Sequence, residues 1–269
     1  MRYRILAIGL AAAVASAAPT AYAQAPAAPS GPVPLEVLGL GLGATPQQVR
    51  DLIKRRGHPM RLNYTYVDQK AQLDDFEETV YVSAISSHKI TGLNKESIGF
   101  RFIAPPNADV AWAAGLIAEY GGLKGPTPEA PLASDTVKAL VAKYGRPAFS
   151  DDTTGRPTLD WFWSASGQPL APNVAQPCRL AISRVNPMGL GGTNNAVNDV
   201  TTFQAAQKGG CAYAFRAYVG TTNGYVTQLE TRMADFRAGA AAMMQSSRYA
   251  AQLKAKHDAV RSQQNKPTF

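Results

Sequence analysis

The feature that most constrains the fold is a short pattern that occurs twice, at a constant offset of 88 residues. The matched positions are Val49, Leu52, Ile53, Arg55, Gly57 and Pro59 in the first copy and Val137, Leu140, Val141, Lys143, Gly145 and Pro147 in the second. Each copy places apolar residues at helical spacing and then ends in Gly-x-Pro, which terminates a helix. Self-similarity at a fixed spacing indicates a duplicated structural unit. The sequence therefore predicts two units that each contain this helix.

Capping residues and alternating apolar residues predict the other elements. Thr45 and Ser134 are the expected N-caps of the two repeat helices. Further helices are predicted over 108–120, capped by Asn107, and from Thr231 onward. Alternation predicts strands over 79–85, 98–104, 159–163, 180–182, 211–219 and 225–229. The Gly/Asn-rich stretch 186–198 is predicted to be a mobile surface loop.

These elements predict an α+β fold with two related helix-then-antiparallel-sheet units in tandem, followed by a C-terminal helix. The predicted boundaries are a signal peptide at 1–23, a Pro/Ala linker at 24–34, a first unit at 35–125, a second unit at 126–230 and a basic helix and tail at 231–269.

The N-terminal residues predict export. Arg2 and Arg4 precede an apolar run, and Ala21-Tyr22-Ala23 has the small-x-small form of a signal-peptidase site. The expected destination is the bacterial periplasm or the medium. Loss of both arginines would lower the net charge from +8 to +6. This charge favours anionic partners at long range, and export argues against nucleic acid as one of them. A merely well-solvated basic surface is the alternative explanation.

The two cysteines, Cys178 and Cys211, allow one intramolecular disulfide. An oxidising compartment favours that bond. The chain has no Cys-x-x-Cys motif, and no histidine is near either cysteine in the sequence, so a structural disulfide is a better interpretation than a redox or zinc site.

The acidic residues before the first predicted strand are the candidate cation ligands. They are Asp68, Asp74, Asp75, Glu77 and Glu78. Carboxylates suit calcium, but their spacing is not that of a dedicated calcium loop. A solvated connection is the alternative.

No catalytic signature is present in the sequence. His58, His88 and His257 lack a second ligand at metal-binding spacing. His58 precedes the Pro of the repeat and Arg146 replaces it in the second copy, which favours a loop position over a catalytic one. The sequence does not exclude a Ser-His-Asp site whose residues come together only in the fold, but it contains no Gly-x-Ser-x-Gly elbow that would identify the nucleophile. Trp161 and Trp163, with Trp112, are candidates for a sugar-binding surface, but alternation favours a core face for the first two. We predict no cofactor.

The residues Gly43-Ala44-Thr45-Pro46-Gln47-Gln48-Val49-Arg50-x-Leu52, followed by Gly57-x-Pro59, resemble the opening motif of the small outer-membrane assembly lipoproteins of the BamE (SmpA/OmlA) type. Related folds include the β-lactamase-inhibitor-protein class. The resemblance implies short helices on an antiparallel sheet and a role in binding, assembly or inhibition. This chain lacks the lipid-anchor cysteine of that pattern. Its remaining length resembles secreted bacterial proteins of unknown function.

The sequence therefore predicts a non-catalytic periplasmic or secreted binding protein that acts on a protein or cell-envelope component. Two alternatives stay open. One is an envelope hydrolase with a site assembled from dispersed residues, such as the acidic cluster with His88. The other is a binder of anionic envelope surfaces through the basic C-terminal helix.

Overall fold

A computed structural model describes Val33 and the ranges 35–66, 79–104, 110–122, 125–152, 156–173, 175–188 and 196–264. These residues form helices and antiparallel strands, which confirms the predicted α+β class. The predicted signal peptide, almost all of the linker and the acidic cluster at 68–78 lie outside the described residues, as does the side chain of His257.

The elements are numbered in chain order. The helices are α1 (Pro46–Arg55), α2 (Ala133–Tyr144), α3 (Gln176–Arg184), α4 (Ala196–Lys208) and α5 (Phe236–Gln264). The short hairpin strands are β1 (Glu36–Val37) and β2 (Leu40–Gly41). The main-sheet strands are β3 (Met60–Tyr66), β4 (Thr79–Thr91), β5 (Asn94–Phe102), β6 (Ala111–Gly122), β7 (Gly125–Pro126), β8 (Phe149–Asp151), β9 (Thr158–Trp163), β10 (Tyr213–Thr222) and β11 (Tyr225–Asp235).

One antiparallel sheet crosses the whole described structure. Its order is β3-β4-β5-β6-β11-β10-β9-β8, and β7 pairs with the end of β6. The order is symmetric about the central β6–β11 pair, where Ala114 lies opposite Met233. Each half of the order is a four-strand set preceded in sequence by a helix, α1 or α2. The boundary predicted at 125–126 stays a prediction, because the sheet continues from one half into the other.

The first face of the sheet carries α1, α2 and the β1–β2 hairpin. Val49, Leu52 and Ile53 of α1 are buried against Ile98 and Phe100 of β5 in one apolar cluster. The predicted N-cap of α1 is confirmed, because Thr45 and Gln48 form a complete capping box. In contrast, α2 has no buried residue and lies on the cluster through partly exposed side chains.

The second face carries α3, α4 and the first part of α5. Phe203 of α4 and Phe236 of α5 are fully buried and pack with ring centroids 5.4 Å apart. Asp160 of β9, 1% exposed, accepts two hydrogen bonds from Arg216 of β10, at 2.6 and 2.9 Å, and Arg216 also donates to the Arg179 carbonyl of α3. The charged pair thereby fixes α3 on the sheet.

The prediction of a helix over 108–120 is wrong, because Ala111–Gly122 form the central strand β6, while residues 108 and 109 and the predicted cap Asn107 lie outside the described residues. Alanines favour a helix locally, but here they lie between β5 and β11, where small side chains are needed. A Cβ on Gly115 would come 2.6 Å from both the Pro187 side chain and the Thr231 carbonyl oxygen. Tertiary packing on both faces of the sheet therefore overrides the local preference.

The prediction of a strand at 180–182 is also wrong, because these residues belong to α3. Cys178, Ala181 and Ile182 are buried while Leu180 is 55% exposed, which is helical rather than alternating burial. Residues 196–198 of the loop predicted at 186–198 belong to helix α4, and residues 189–195 lie outside the described residues.

Two predicted helix starts are misplaced. Ser134 lies inside α2, whose N-cap is Leu132 without a side-chain hydrogen bond. The C-terminal helix begins at Phe236 rather than Thr231, because Thr231 and Met233 belong to strand β11. Met233 packs in the apolar cluster on the first face of the sheet. The hairpin predicted at 222–224 is confirmed, with Asn223 and Gly224 at positive φ.

Candidate functional site

Two exposed hairpin turns and the end of a central strand lie at the same end of the sheet. The β4–β5 turn at 91–94, the β10–β11 turn at 222–225 and the end of β6 lie at this edge, which we call the hairpin end. Among the described residues, four large apolar side chains are exposed on or beside it, Ile90 (61%), Leu93 (61%), Leu132 (44%) and Tyr225 (43%). Exposed apolar side chains on surface loops are typical of interaction sites.

An open cleft of about 430 Å³ lies at the hairpin end, on the first face. The C-terminal end of α1 forms one wall through Arg55 and Arg56, and strands β4 to β6 form the floor and the other wall. Helix α1 ends here because Gly57 adopts φ +63 and its N–H bonds the Lys54 carbonyl. The following residue, His58, turns inward onto the sheet.

A chain of hydrogen bonds runs through the wall of the cleft. The Ser87 hydroxyl lies 3.2 Å from His58 Nδ1, and His58 Nε2 lies 2.9 Å from Glu96 Oε1. Glu96 also accepts from Arg56, whose Nη2 is 2.6 Å from Oε2 and whose Nε is 3.0 Å from Oε1. The His58 side chain is 2% exposed, so these partners replace its contacts with water.

Burial lowers the pKa of His58, and this effect outweighs the opposing influence of Glu96. A neutral imidazole satisfies the geometry when Nε2–H donates to Glu96 and Nδ1 accepts from Ser87, a tautomer assigned from the network. Every polar atom of His58 then has a partner.

The residue types of a nucleophilic triad are present in Ser87, His58 and Glu96. Their exposure and pairing, however, are not those of a working triad. Ser87 is 2% exposed, so a substrate does not reach its hydroxyl. Glu96 is neutralised by Arg56, which reduces its ability to stabilise an imidazolium during proton transfer. The network is better suited to holding the corner of α1 against β4 and β5.

The side chains around the cleft carry more positive than negative charge. Lys95 pairs with Glu119 at 2.9 Å, and Arg56 pairs with Glu96. Lys89 Nζ donates to the Arg56 carbonyl at 3.0 Å, a contact that does not cancel its charge. The Arg55 guanidinium makes no hydrogen bond or ion pair within the described residues. Among the described residues, the positive charges of Arg55 and Lys89 therefore have no carboxylate partner.

Burial raises the pKa of the Tyr120 hydroxyl at the β6 wall of the same cleft, so the phenol stays protonated and can donate a hydrogen bond.

The predicted disulfide pair lies far from the cleft, in the core of the second face. Cys178 of α3 and Cys211, just before β10, are buried as thiols within contact of each other, and burial raises the pKa of Cys211. The proximity is what a disulfide requires, and the bond itself stays a prediction.

The other candidate residues are not brought into one site. His88 bonds Ser97 at 2.8 Å on the second face, away from His58. Trp161 and Trp163 are buried on the first face, as alternation predicts, and Trp112 is buried on the second. None of the three tryptophans therefore forms an exposed sugar-binding surface.

Sequence reasoning missed Glu96, Arg56 and Ser87 as members of the site. One signal was available for Glu96, because it has the same strand parity as the buried Ile98 and Phe100. A carboxylate on the inward face of a strand predicts a cationic partner.

The described part of the chain contains no cluster of three or more metal-ligating side chains. Among the same residues, no helix has the length and apolar composition needed to cross a membrane. The chain matches no protein-family model, no curated protein and no solved structure.

Proposed function

We propose that this chain is a non-catalytic, exported binding protein that engages a protein partner at the hairpin end of its sheet. The exposed apolar side chains at this end carry the proposal. Ile90 and Leu93 lie on the β4–β5 hairpin and Tyr225 lies on the β10–β11 hairpin, with the central strand β6 between the two hairpins. Association would remove apolar surface from water at positions that the fold itself leaves uncovered.

The shape of the hairpin end supports binding rather than catalysis. The cleft is open to solvent, and its one Ser-His-acid arrangement within the described residues has a buried hydroxyl. An enzyme site is commonly an enclosed pocket that contains titratable groups with accessible reactive atoms. The hydrolase alternative also relied on the acidic cluster and His88, and His88 is on the opposite face from His58.

The signal-like N-terminus, the cysteine pair and the absence of a catalytic motif in the sequence support an exported binding role. We also propose that the two helix-then-sheet halves arose by duplication. The matched Gly-x-Pro corners and the symmetric strand order support this relation.

Site-specific photo-crosslinking in the producing bacterium tests the function. A photoreactive residue at Leu93 should yield a discrete adduct, because Leu93 is 61% exposed at the hairpin end. The same residue at Leu180 is a matched control, since that leucine is 55% exposed but belongs to α3 on the second face. Equal adducts at both positions, or none at Leu93, would contradict the proposal.

The distal part of α5 supports a second candidate, an anionic envelope surface as the ligand. Arg248, Lys254, Lys256 and Arg261 are exposed there, although Lys254 pairs with Asp258. Co-sedimentation with vesicles tests it: binding to phosphatidylglycerol but not phosphatidylcholine, weakened by salt, is expected. Binding that is absent or insensitive to salt would reject this candidate.

A further inference from the structure

The proposed function leaves the chemistry of the partner open, and the cleft beside Leu93 restricts it. On the basis of that proposed function, we infer that the cleft accepts carboxylate side chains from an acidic, partly apolar segment of the partner protein. The hairpin end would contact the apolar side chains of that segment, and the cleft would contact its acidic ones.

The first reason is the charge balance of the cleft. Arg56 and Lys95 are already paired with Glu96 and Glu119, whereas Lys89 and Arg55 have no carboxylate partner within the described residues. Cations without a carboxylate partner attract an anionic segment at long range and fix its register on contact. The partner is therefore expected to carry net negative charge where it meets this surface.

The second reason is the position of the two charges that lack a carboxylate partner. Arg55 belongs to the last turn of α1, and Lys89 belongs to β4 with its Nζ beside Gly57. The charges come from different elements on the wall and the floor of the cleft. Separate carboxylates along a peptide can each approach one of them.

The third reason concerns the choice between carboxylates and phosphate. Glu96 and Glu119 also line the cleft, and each is paired with a cation, so within the described residues the positive charge without a carboxylate partner is divided between Arg55 on α1 and Lys89 on β4. A compact phosphate places its charges at one point, whereas two carboxylates along a peptide can each meet one cation. Carboxylate ligands are therefore favoured over phosphate.

The fourth reason is the apolar border. Leu93 is exposed in the turn between Thr91 and Asn94, two residues that line the cleft. A segment that places an acidic residue in the cleft can thus cover Leu93 with a neighbouring apolar residue. An alternating acidic and apolar sequence has this property.

Fluorescence anisotropy with the full chain tests the inference. The probe is a fluorescein-labelled peptide of alternating Glu and Leu, and its counterpart contains Gln in place of Glu. We expect the Glu peptide to bind, the Gln peptide to bind much more weakly, and added salt to weaken the difference.

The cleft variant is Arg55→Gln with Lys89→Gln. We expect it to weaken binding of the Glu peptide about five- to tenfold, as loss of two partly exposed ion pairs implies. The matched control is Lys54→Gln with Lys138→Gln, which removes the same charge from exposed helix positions outside the cleft. The control should bind nearly as the unaltered chain does.

Equal weakening in the control variant would overturn the inference, because net charge alone would then explain binding. Displacement of the peptide by inorganic phosphate would overturn the carboxylate preference. Tighter binding to phosphatidylglycerol vesicles than to the peptide, dependent on Arg55 and Lys89, would assign the cleft to lipid instead.

The crosslinking experiment separates this inference from the proposed function. If the adduct at Leu93 persists unchanged in the Arg55→Gln, Lys89→Gln variant, the hairpin end binds a partner and the carboxylate inference is wrong. If no adduct forms even in the otherwise unaltered chain, the proposed function itself fails.

Discussion

The two Gly-x-Pro corners share a glycine at positive φ but differ in the side chains that pack around it. Gly57 and Gly145 each follow a helix on the first face, with φ of +63 and +79. At the first corner, His58 turns into the sheet and bonds Glu96 and Ser87. At the second, the equivalent Arg146 is exposed, and the corner is filled by aromatic rings instead.

The aromatic corner is built around Tyr144. Its ring centroid lies 4.3 Å from that of Phe215 and 5.8 Å from that of Trp161, and Trp161 Nε1 donates to the Gly145 carbonyl at 2.8 Å. The first corner has Arg56 where the second has Tyr144. The corner at Gly145 is therefore filled by apolar rings that exclude water, whereas the corner at Gly57 has an open polar cleft beside it. The same local turn supports stability in one half and a candidate binding surface in the other.

The largest effect should come from the aromatic corner. Trp161→Ala should lower the free energy of unfolding by about 4 kcal/mol, because it removes a 2% exposed ring and leaves a cavity. Chemical denaturation monitored by circular dichroism measures this change. A loss of less than about 1 kcal/mol would mean that the corner is not a packed core.

The second effect concerns the cysteines under the same half of the sheet. If the predicted Cys178–Cys211 bond forms on export, reduction should lower the free energy of unfolding by about 3 kcal/mol. Denaturation with and without reductant measures it. The Cys178→Ser, Cys211→Ser double variant is the control and should not respond to reductant. Two titratable thiols in the unfolded exported protein would reject the bond.

The third effect concerns the polar corner. His58→Leu should lower the free energy of unfolding by about 2 kcal/mol, because Ser87 and Glu96 each lose a partner. The matched Arg146→Leu should change it by less than about 0.5 kcal/mol, since Arg146 is exposed. Equal effects at the two corners would remove the contrast between them.

His58 also predicts a pH dependence. Its pKa in the folded protein is below the ordinary value of 6.5, so the unfolded chain binds the proton more readily. The stability contribution is therefore present above pH 6.5 and is lost as the pH falls through the window between that value and the folded pKa. The His58→Leu variant should show a smaller loss there, measured as thermal midpoint against pH.

The smallest effect compares the starts of the two helices. Thr45→Ala should lower the free energy of unfolding by about 1 kcal/mol, because it removes the capping box of α1. Ser134→Ala should change it by less than about 0.5 kcal/mol, because Ser134 caps nothing and is exposed. A larger loss at Ser134 would show that α2 starts there.

The repeat pattern predicted both corners because caps, apolar spacing and helix stops are local properties. Thr45, Gly57 and Gly145 have the conformations that their neighbours in sequence require. The candidate site was less predictable. Glu96 and His58 are far apart in sequence and meet only because β5 lies beside the corner of α1. The inward parity of Glu96 was the single local signal.

The amino-acid sequence by itself determined the short-range features of this protein: the two capped or terminated helices, the Asn223-Gly224 hairpin and the alternating core of β9. Tertiary structure decided the identity of β6, because a central strand flanked by other strands selects small residues regardless of their helix propensity. It also decided α3, because Cys178, Ala181 and Ile182 are buried on one side of a helix that packs on the sheet. It also decided which corner became polar. Burial on a shared sheet assigns each side chain its partners, and those partners come from distant parts of the chain.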